Sequence, residues 1–352
     1  MNNRDQILDV GRFLAILFVM LFHFYSRWFD LYPYGNQANY FPYGYLGVEF
    51  FFILSGYLIF PSLSSSQSII SFWKKKIIRL WPTLFICSLL TFIVCSALDY
   101  DNIMPTWHNW QNLIASITFI SPDLLNKFGW DVSYINGCYW FLWVEIQFLI
   151  LTSIIYFVNK NHAKSNCLYI YAIAYFVLYG IQRVVTNVQT TNKLGLTLSE
   201  EFITNFSEWF VILNLFRYSA FFLLGMTLYM MQINKDKKLN YAYLSVVLIQ
   251  FLCELWRWKA EEQMWIGMII LFFIVHTYIH TKLNHVKETK WLYPFAQLGV
   301  GNYFVYCIHE PIGVLLIHRF GISPVEIIIV LFALGVLYNK YIELPISKYL
   351  SK

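Results

Sequence analysis

Charge is what this chain has least of. Only 13% of its 352 residues are Asp, Glu, Lys or Arg, against about 25% in an ordinary soluble domain. So little polar surface excludes a soluble fold of this length. Cysteine is sparse as well. Cys87, Cys95, Cys138, Cys167, Cys253 and Cys307 lie in or beside apolar runs with no CxxC pair, and read as inert buried thiols rather than as disulfide partners or metal ligands. H-E-x-x-H, P-loop and Gly-rich phosphate motifs are missing, which argues against metal catalysis and nucleotide hydrolysis. No internal repeat, low-complexity tract or linker divides the chain, so residues 1–352 read as one membrane domain with no soluble domain attached.

What is present is hydrophobic: 58% of the residues are apolar and 20% aromatic, and apolar runs of about 18 residues or more recur along the whole length. Candidate spans are 7–29, 44–62, 80–98, 138–158, 167–186, 208–231, 241–257, 264–281, 296–317 and 326–344. The expected fold is therefore all-α, a polytopic membrane protein of about ten helices. The shorter run 112–125, interrupted by Pro122, fits a re-entrant or interfacial helix in an external loop. The first run lacks a small-residue cleavage site and carries Arg12 and His23, so it is not read as a signal peptide. With the N-terminus inside, most of the 25 Lys and Arg residues fall in cytoplasmic segments, which places both termini in the cytoplasm.

Ionisable residues inside such spans are costly and are site candidates by default. The run "RFLAILFVMLFH" carries Arg12 and His23 eleven residues apart. Eleven helical steps make about three turns, so the two side chains share a face ~16 Å apart along the axis. Arg12 lies near the cytoplasmic surface and His23 deeper. Imidazole exchanges a proton near neutral pH, so His23 is a candidate general base, although a histidine bonded between helices for packing fits its position equally. Arg12 has a plain alternative in pairing with Asp9 three residues earlier.

A second constellation is "FWKKKIIRLWP", Phe72 to Pro82, in the first cytoplasmic loop and the start of a helix. Lys76 and Arg79 face the same way there, a pairing that suits phosphate, and the stretch also reads as a positive-inside anchor. "LGVEFFFILSGYLI" puts Glu49 at the outer end of the second span, with Ser55 and Gly56 as packing residues within it. "YWFLWVEIQF" puts Glu145 among aromatic rings in the fourth span, where a carboxyl can stay neutral, pair with a base or orient one. Arg217 is read as fully intramembrane and in need of an anionic or carbonyl partner. His309 stands with Glu310 before Pro311 in the ninth span, and Glu343 lies at the inner boundary. His162, His280 and His285 read as solvated boundary residues, and no role falls to His108, His276 or His318.

Taken in order, these stretches resemble acyltransferase family 3, the bacterial membrane enzymes that move acyl groups, often acetyl, from coenzyme A onto cell-surface acceptors. The resemblance covers nearly the whole chain. It rests on Asp9, Arg12, Ala15 and His23; on Gly47, Val48, Glu49, Phe51, Phe52, Ser55 and Gly56; on Trp140, Leu142 and Glu145; on Tyr303, Tyr306, His309 and Pro311; and on Glu343 with Pro345. One position departs from the pattern: the usual Arg-x-x-Arg reads Lys76-x-x-Arg79, and lysine keeps the charge but not the forked geometry. The resemblance implies acyl-CoA, most simply acetyl-CoA, as donor without a metal. Arg12, Lys76 and Arg79 would hold its phosphates, and His23 with Glu145 would form the catalytic pair. Asp9, Glu49, Arg217, His309 and Glu343 would bind substrate or support the site. It further implies a bacterial cytoplasmic membrane location, lipid as surroundings, and a surface polysaccharide or lipid-linked precursor as acceptor, with no nucleic acid. The competing reading is a transporter or flippase, since intramembrane Arg and Glu also line transport pathways. A scaffold for glycan assembly would leave His23 and Arg217 unexplained.

Overall fold

The computed structural model describes residues 5–35, 39–193, 195–233, 236–282 and 290–350. His285 and the basic residues Arg4, Lys235, Lys287 and Lys352 lie outside the described residues. Among the described residues the regular structure is all helical: α1 (Gln6–Phe22), α2 (Gly47–Ser64), α3 (Ile69–Leu98), α4 (Trp110–Ser116), α5 (Pro122–Lys127), α6 (Trp140–Val158), α7 (Ala163–Thr190), α8 (Glu200–Ile212), α9 (Ser219–Ile233), α10 (Lys237–Glu254), α11 (Ala260–Lys282), α12 (Tyr293–Val300), α13 (Asn302–Phe320), α14 (Pro324–Tyr338) and α15 (Leu344–Leu350).

Among the described residues seven helices are long and apolar enough to cross a membrane, and two bent pairs raise the total to as many as nine. The difference from ten has local causes. Span 208–231 is α8 and α9, bent by 62° at a break after Ile212. Span 296–317 is α12 and α13, bent by 64° at Gly301. Span 241–257 is the helix α10, whose eighteen residues include Lys237, Lys238 and Glu254, too much charge for an unambiguous crossing. The basic stretch around Lys76 is helix rather than loop. It forms the first turns of α3, which a capping box between Ser68 and Ser71 starts well before Leu80.

Small residues let the helices approach closely, as membrane packing requires. A Cβ on Gly56 would stand 2.0 Å from the Phe222 carbonyl oxygen, and one on Gly225 2.0 Å from that of Ile53, so α2 and α9 touch backbone to backbone. Next to this seam Phe148 stacks on Phe222 with centroids 4.0 Å apart. On α3 and α6, which run antiparallel, Trp73 Nε1 donates to Ser153 Oγ (3.2 Å) and Ser88 Oγ to Tyr139 Oη (3.3 Å).

The segment between α3 and α6 dips back into the fold. Asp99 anchors its start, accepting from the backbone N–H groups of Ile103 (2.9 Å) and Met104 (2.8 Å). The turn after α4 then reaches Trp81, whose Nε1 donates to the Ile117 carbonyl (3.2 Å). Trp81 lies ~25 Å down α3 from Leu98 by helical rise. The run 112–125 is thus re-entrant, built as two short helices capped by Asn109 and Ser121 rather than one.

Candidate active site

His23 begins a π-helical segment, His23–Arg27, that widens the end of α1. Such widened turns often mark functional positions. This one is tied by Tyr32 Oη, which donates to the His23 carbonyl (2.7 Å), and by Tyr34 Oη, which donates to that of Phe24. Burial pushes the phenols of Tyr32 and of Tyr134, in the re-entrant segment, well above their ordinary range, so both act as donors at neutral pH.

Opposite stands α13, which carries Pro311 in its interior. Proline has no N–H, so the Cys307 carbonyl four residues back loses its helical partner. Asn136 Nδ2 (2.9 Å) and Tyr139 Oη (3.0 Å) donate to that carbonyl instead. The clasp draws the Asn136–Tyr139 turn against α13, so closely that a Cβ on Gly137 would stand 3.3 Å from Glu310 Oε2.

Four reactive groups meet at this clasp. His23 Nδ1 lies 3.1 Å from Glu310 Oε1, which also accepts from Trp28 Nε1 (3.1 Å). Cys138 Sγ is 3.2 Å from Glu310 Oε2, 3.5 Å from His23 Nε2 and 3.7 Å from His309 Nε2. His309 Nδ1 is 2.8 Å from the Tyr306 carbonyl, and Tyr306 Oη donates to the Cys138 carbonyl. His309 Nδ1 is turned to an acceptor, and the Nε2 atoms of both imidazoles face the thiol. All four residues are buried.

His23, Cys138 and Glu310 line a cavity of about 650 Å³. Aromatic walls rise from it: Trp28 meets Trp107 edge-on, and Trp140 lies beside Tyr218 at 5.5 Å. Glu49, Arg217, Glu254, Arg257 and Glu262 supply charge around it. Among the described residues Glu49 Oε2 has no hydrogen-bond partner. Arg217 is not sealed inside a helix as the sequence suggested. It sits in the 3₁₀ break between α8 and α9, exposed to the cavity, where its charge acts on Glu49. Arg257 Nη1 holds Glu254 Oε2 at 2.6 Å, and Tyr45 Oη donates to Glu262.

The remaining sequence candidates gather elsewhere. Glu145 does not line this cavity. Its Oε1 accepts from Ser55 Oγ (2.8 Å), and the charges of Lys76 and Arg79 act on it. Lys76 also lines a smaller cavity of about 280 Å³ with Thr118 and Phe119 of the re-entrant turn. Arg12 is paired with Asp9 on its own helix. Glu343 accepts from Asn339 Nδ2 (2.9 Å) within a π-helical segment.

Three residues of the site carry no role in the sequence reading: Glu310, named only as the neighbour of His309, Cys138, read as an inert thiol, and Trp28. Glu310 was detectable by the rule that selected His309, since it too is a charge in an apolar span. His276 and His280, given no role or read as solvated, instead hold Asp5 Oδ2 at 2.7 Å and 2.9 Å. Among the described residues two groups have donor spacing that a metal ion can bridge: His23, Cys138 and His309, and Asp5, His276 and His280. Two imidazole nitrogens and one sulfur are a donor set that zinc accepts.

The family model described as an acyltransferase domain (acyltransferase family 3) matches residues 5–338. The chain belongs to this family. An O-acetyl transferase of Shigella phage Sf6 is 29% identical over 180 residues, covering 50% of this chain and 52% of the phage protein. The O-acetyltransferase OatA of Staphylococcus aureus is 26% identical over 204 residues, covering 53% of this chain and 30% of that protein. The chain thus spans about half or less of the curated relatives it matches. No solved structure matches it.

Proposed function

We propose that this acyltransferase is an O-acetyltransferase of the bacterial cytoplasmic membrane. It would move an acetyl group from cytoplasmic acetyl-CoA to a hydroxyl of a surface polysaccharide or its lipid-linked precursor. The observation that carries the reading is the His23–Glu310 pair at the base of a cavity large enough for one substrate-sized group.

Glu310 orients the imidazole and offsets the positive charge that forms when Nε2 takes a proton, as a carboxylate does for histidine in acyl transfer generally. An acceptor hydroxyl in the cavity is then deprotonated by His23 as its oxygen attacks the acyl carbonyl. The walls suit a sugar. Aromatic faces such as Trp140 and Tyr218 cover its apolar side, while Glu49 Oε2 and the Arg217 guanidinium accept from and donate to its hydroxyls.

The donor would enter from the opposite side, its phosphates held by Arg79 and Lys76, whose charges also act on Glu145. Arg12 is assigned to the donor as well, on the family pattern alone. The phage and staphylococcal relatives, both named O-acetyltransferases, support the acetyl group as cargo.

The test is transfer from radiolabelled acetyl-CoA by the purified full-length protein, with membrane glycolipid extract as acceptor. Ester-linked label in wild type and its loss in His23→Ala are expected. A wild-type protein that moves glycolipid across vesicles and never consumes acetyl-CoA would overturn the reading in favour of a flippase.

A further inference from the structure

The acyl-transfer reading leaves one group of the site without a task. Cys138 occupies the first turn of the helical run that continues into α6, and nothing in general acid–base transfer calls for a thiol there. The fold nevertheless fixes it closely. Its backbone N–H donates to Asn136 Oδ1 (2.9 Å), and its carbonyl accepts from Tyr306 Oη. The turn that bears it is clasped to the carbonyl freed by Pro311. Its sulfur faces three acceptors, His23 Nε2, His309 Nε2 and Glu310 Oε2, with a single proton to share among them.

We propose that Cys138 is the nucleophile that carries the acyl group, with His23 as its base and Glu310 as the orienting carboxylate. The proposal rests on the acyl-CoA-dependent reading given above. A nucleophile within reach of a base that is itself oriented by a third group is the general arrangement of covalent acyl transfer. The distances here run from Cys138 Sγ to His23 Nε2 at 3.5 Å and from His23 Nδ1 to Glu310 Oε1 at 3.1 Å.

Two half-reactions balance on these groups. In the first, the Cys138 thiol gives its proton to His23 Nε2 as sulfur attacks the acyl-CoA carbonyl. The bond to the coenzyme sulfur breaks, and CoA leaves as the thiol with the proton from His23. One thioester replaces another, so nothing is oxidised or reduced. In the second, the acceptor hydroxyl gives its proton to His23 and its oxygen attacks the Cys138 thioester. The carbon–sulfur bond breaks and the thiol takes the proton back. His309 Nε2, 3.7 Å from the sulfur, lies on the same side of it as His23 Nε2, the three donor atoms all within 4.8 Å of one another.

The cavity favours this order. At about 650 Å³ it accommodates one substrate-sized group. A covalent carrier lets the pantetheine arm and the acceptor occupy it in turn. It also lets a donor from one face of the membrane serve an acceptor from the other.

The experiment uses purified full-length protein and [1-¹⁴C]acetyl-CoA without acceptor, followed by denaturation, hydroxylamine treatment and mass spectrometry. Expected are a burst of CoA release of about one equivalent per protein and hydroxylamine-labile label on the Cys138 peptide. Cys138→Ala should lose the burst and the label, with turnover in the presence of glycolipid extract lowered about 100-fold or more. Cys138→Ser, close to isosteric, guards against misfolding: it should fold, with an acetyl ester that resists neutral hydroxylamine. Cys167→Ser, on α7, which contributes nothing to the cavity lining, should behave as wild type. Turnover retained in Cys138→Ala, or an active wild type that carries no label on Cys138, overturns the proposal and leaves the transferase reading standing. Stoichiometric zinc that depends on Cys138, found in place of the label, also overturns it and assigns the cluster to a metal. A wild type that never consumes acetyl-CoA removes both readings together.

Discussion

His23 Nδ1 lies 3.1 Å from Glu310 Oε1, joining the widened end of α1 to the middle of α13. Neither residue is positioned by its own helix alone. Tyr32 and Tyr34 hold the turn at His23, and Pro311 with Asn136 and Tyr139 sets the face of α13 that presents Glu310. The carboxylate is consequently a positioning group for the imidazole, and its removal has a distinctive signature.

Glu310→Gln keeps the side-chain shape and the contact from Trp28 while removing the charge. We expect kcat to fall by about 10²–10⁴-fold with the KM for acetyl-CoA little changed, because the lost interaction strengthens as the imidazole becomes charged. Glu310→Asp should recover part of the rate. Steady-state kinetics on matched amounts of folded protein check this, and a rise in KM with unchanged kcat would contradict it.

Arg79→Ala should fail in the opposite sense. Loss of a forked contact to phosphate is expected to raise the KM for acetyl-CoA about tenfold or more while leaving kcat close to wild type. Lys76→Arg should be tolerated. Arg12→Ala separates two roles: a raised KM places Arg12 on the donor, whereas reduced protein abundance with unchanged KM leaves it as the partner of Asp9.

The α2–α9 seam is tight enough to be tested by a single methyl group. Gly56→Ala places a Cβ 2.0 Å from the Phe222 carbonyl oxygen, a backbone atom that cannot turn aside. We expect a destabilisation of about 1–3 kcal/mol, the usual range for overpacking a filled interior. A lowered thermal midpoint in detergent, read by fluorescence-detected size exclusion, is the measurement. Gly267→Ala, where a Cβ meets nothing within 4 Å, is the control.

Asp5 provides a pH test away from the catalytic cavity. Burial alone would raise its carboxyl, but the hydrogen bond from His276 and the charges of His276 and His280 outweigh it, and the net shift is below the ordinary 3.8. A carboxylate lowered on folding stabilises the native state above its unfolded pKa, and that contribution fades as pH falls through the folded value. Asp5→Asn should therefore lower the thermal midpoint at pH 7, and the difference from wild type should shrink below pH ~4. A gap constant across that range would show that Asp5 acts only as the N-cap of α1, where it accepts from Ile7 (2.9 Å) and Leu8 (3.2 Å).

The sequence by itself determined the class of fold and several of the chemical parts. Long apolar runs with 13% charge permit little other than a helical membrane protein. The cost of charge in such runs singled out His23, His309, Glu49 and Arg217, four residues that the structure gathers in or beside one cavity. That cost is a local property, legible one residue at a time. Partnership is not. The resemblance makes Glu145 the companion of His23, yet Glu145 lies outside the cavity that His23 lines, and the charges of Lys76 and Arg79 on α3 act on it. Glu310 takes the place beside His23 because Pro311 frees one carbonyl, and the Asn136–Tyr139 turn moves in to satisfy it. The same turn makes Cys138 part of the site, although its neighbours in sequence mark it as an ordinary buried thiol. Which polar groups meet was decided by how unsatisfied backbone and close-packed glycines dock helices far apart in the chain, a long-range geometry that no periodicity along a single helix encodes.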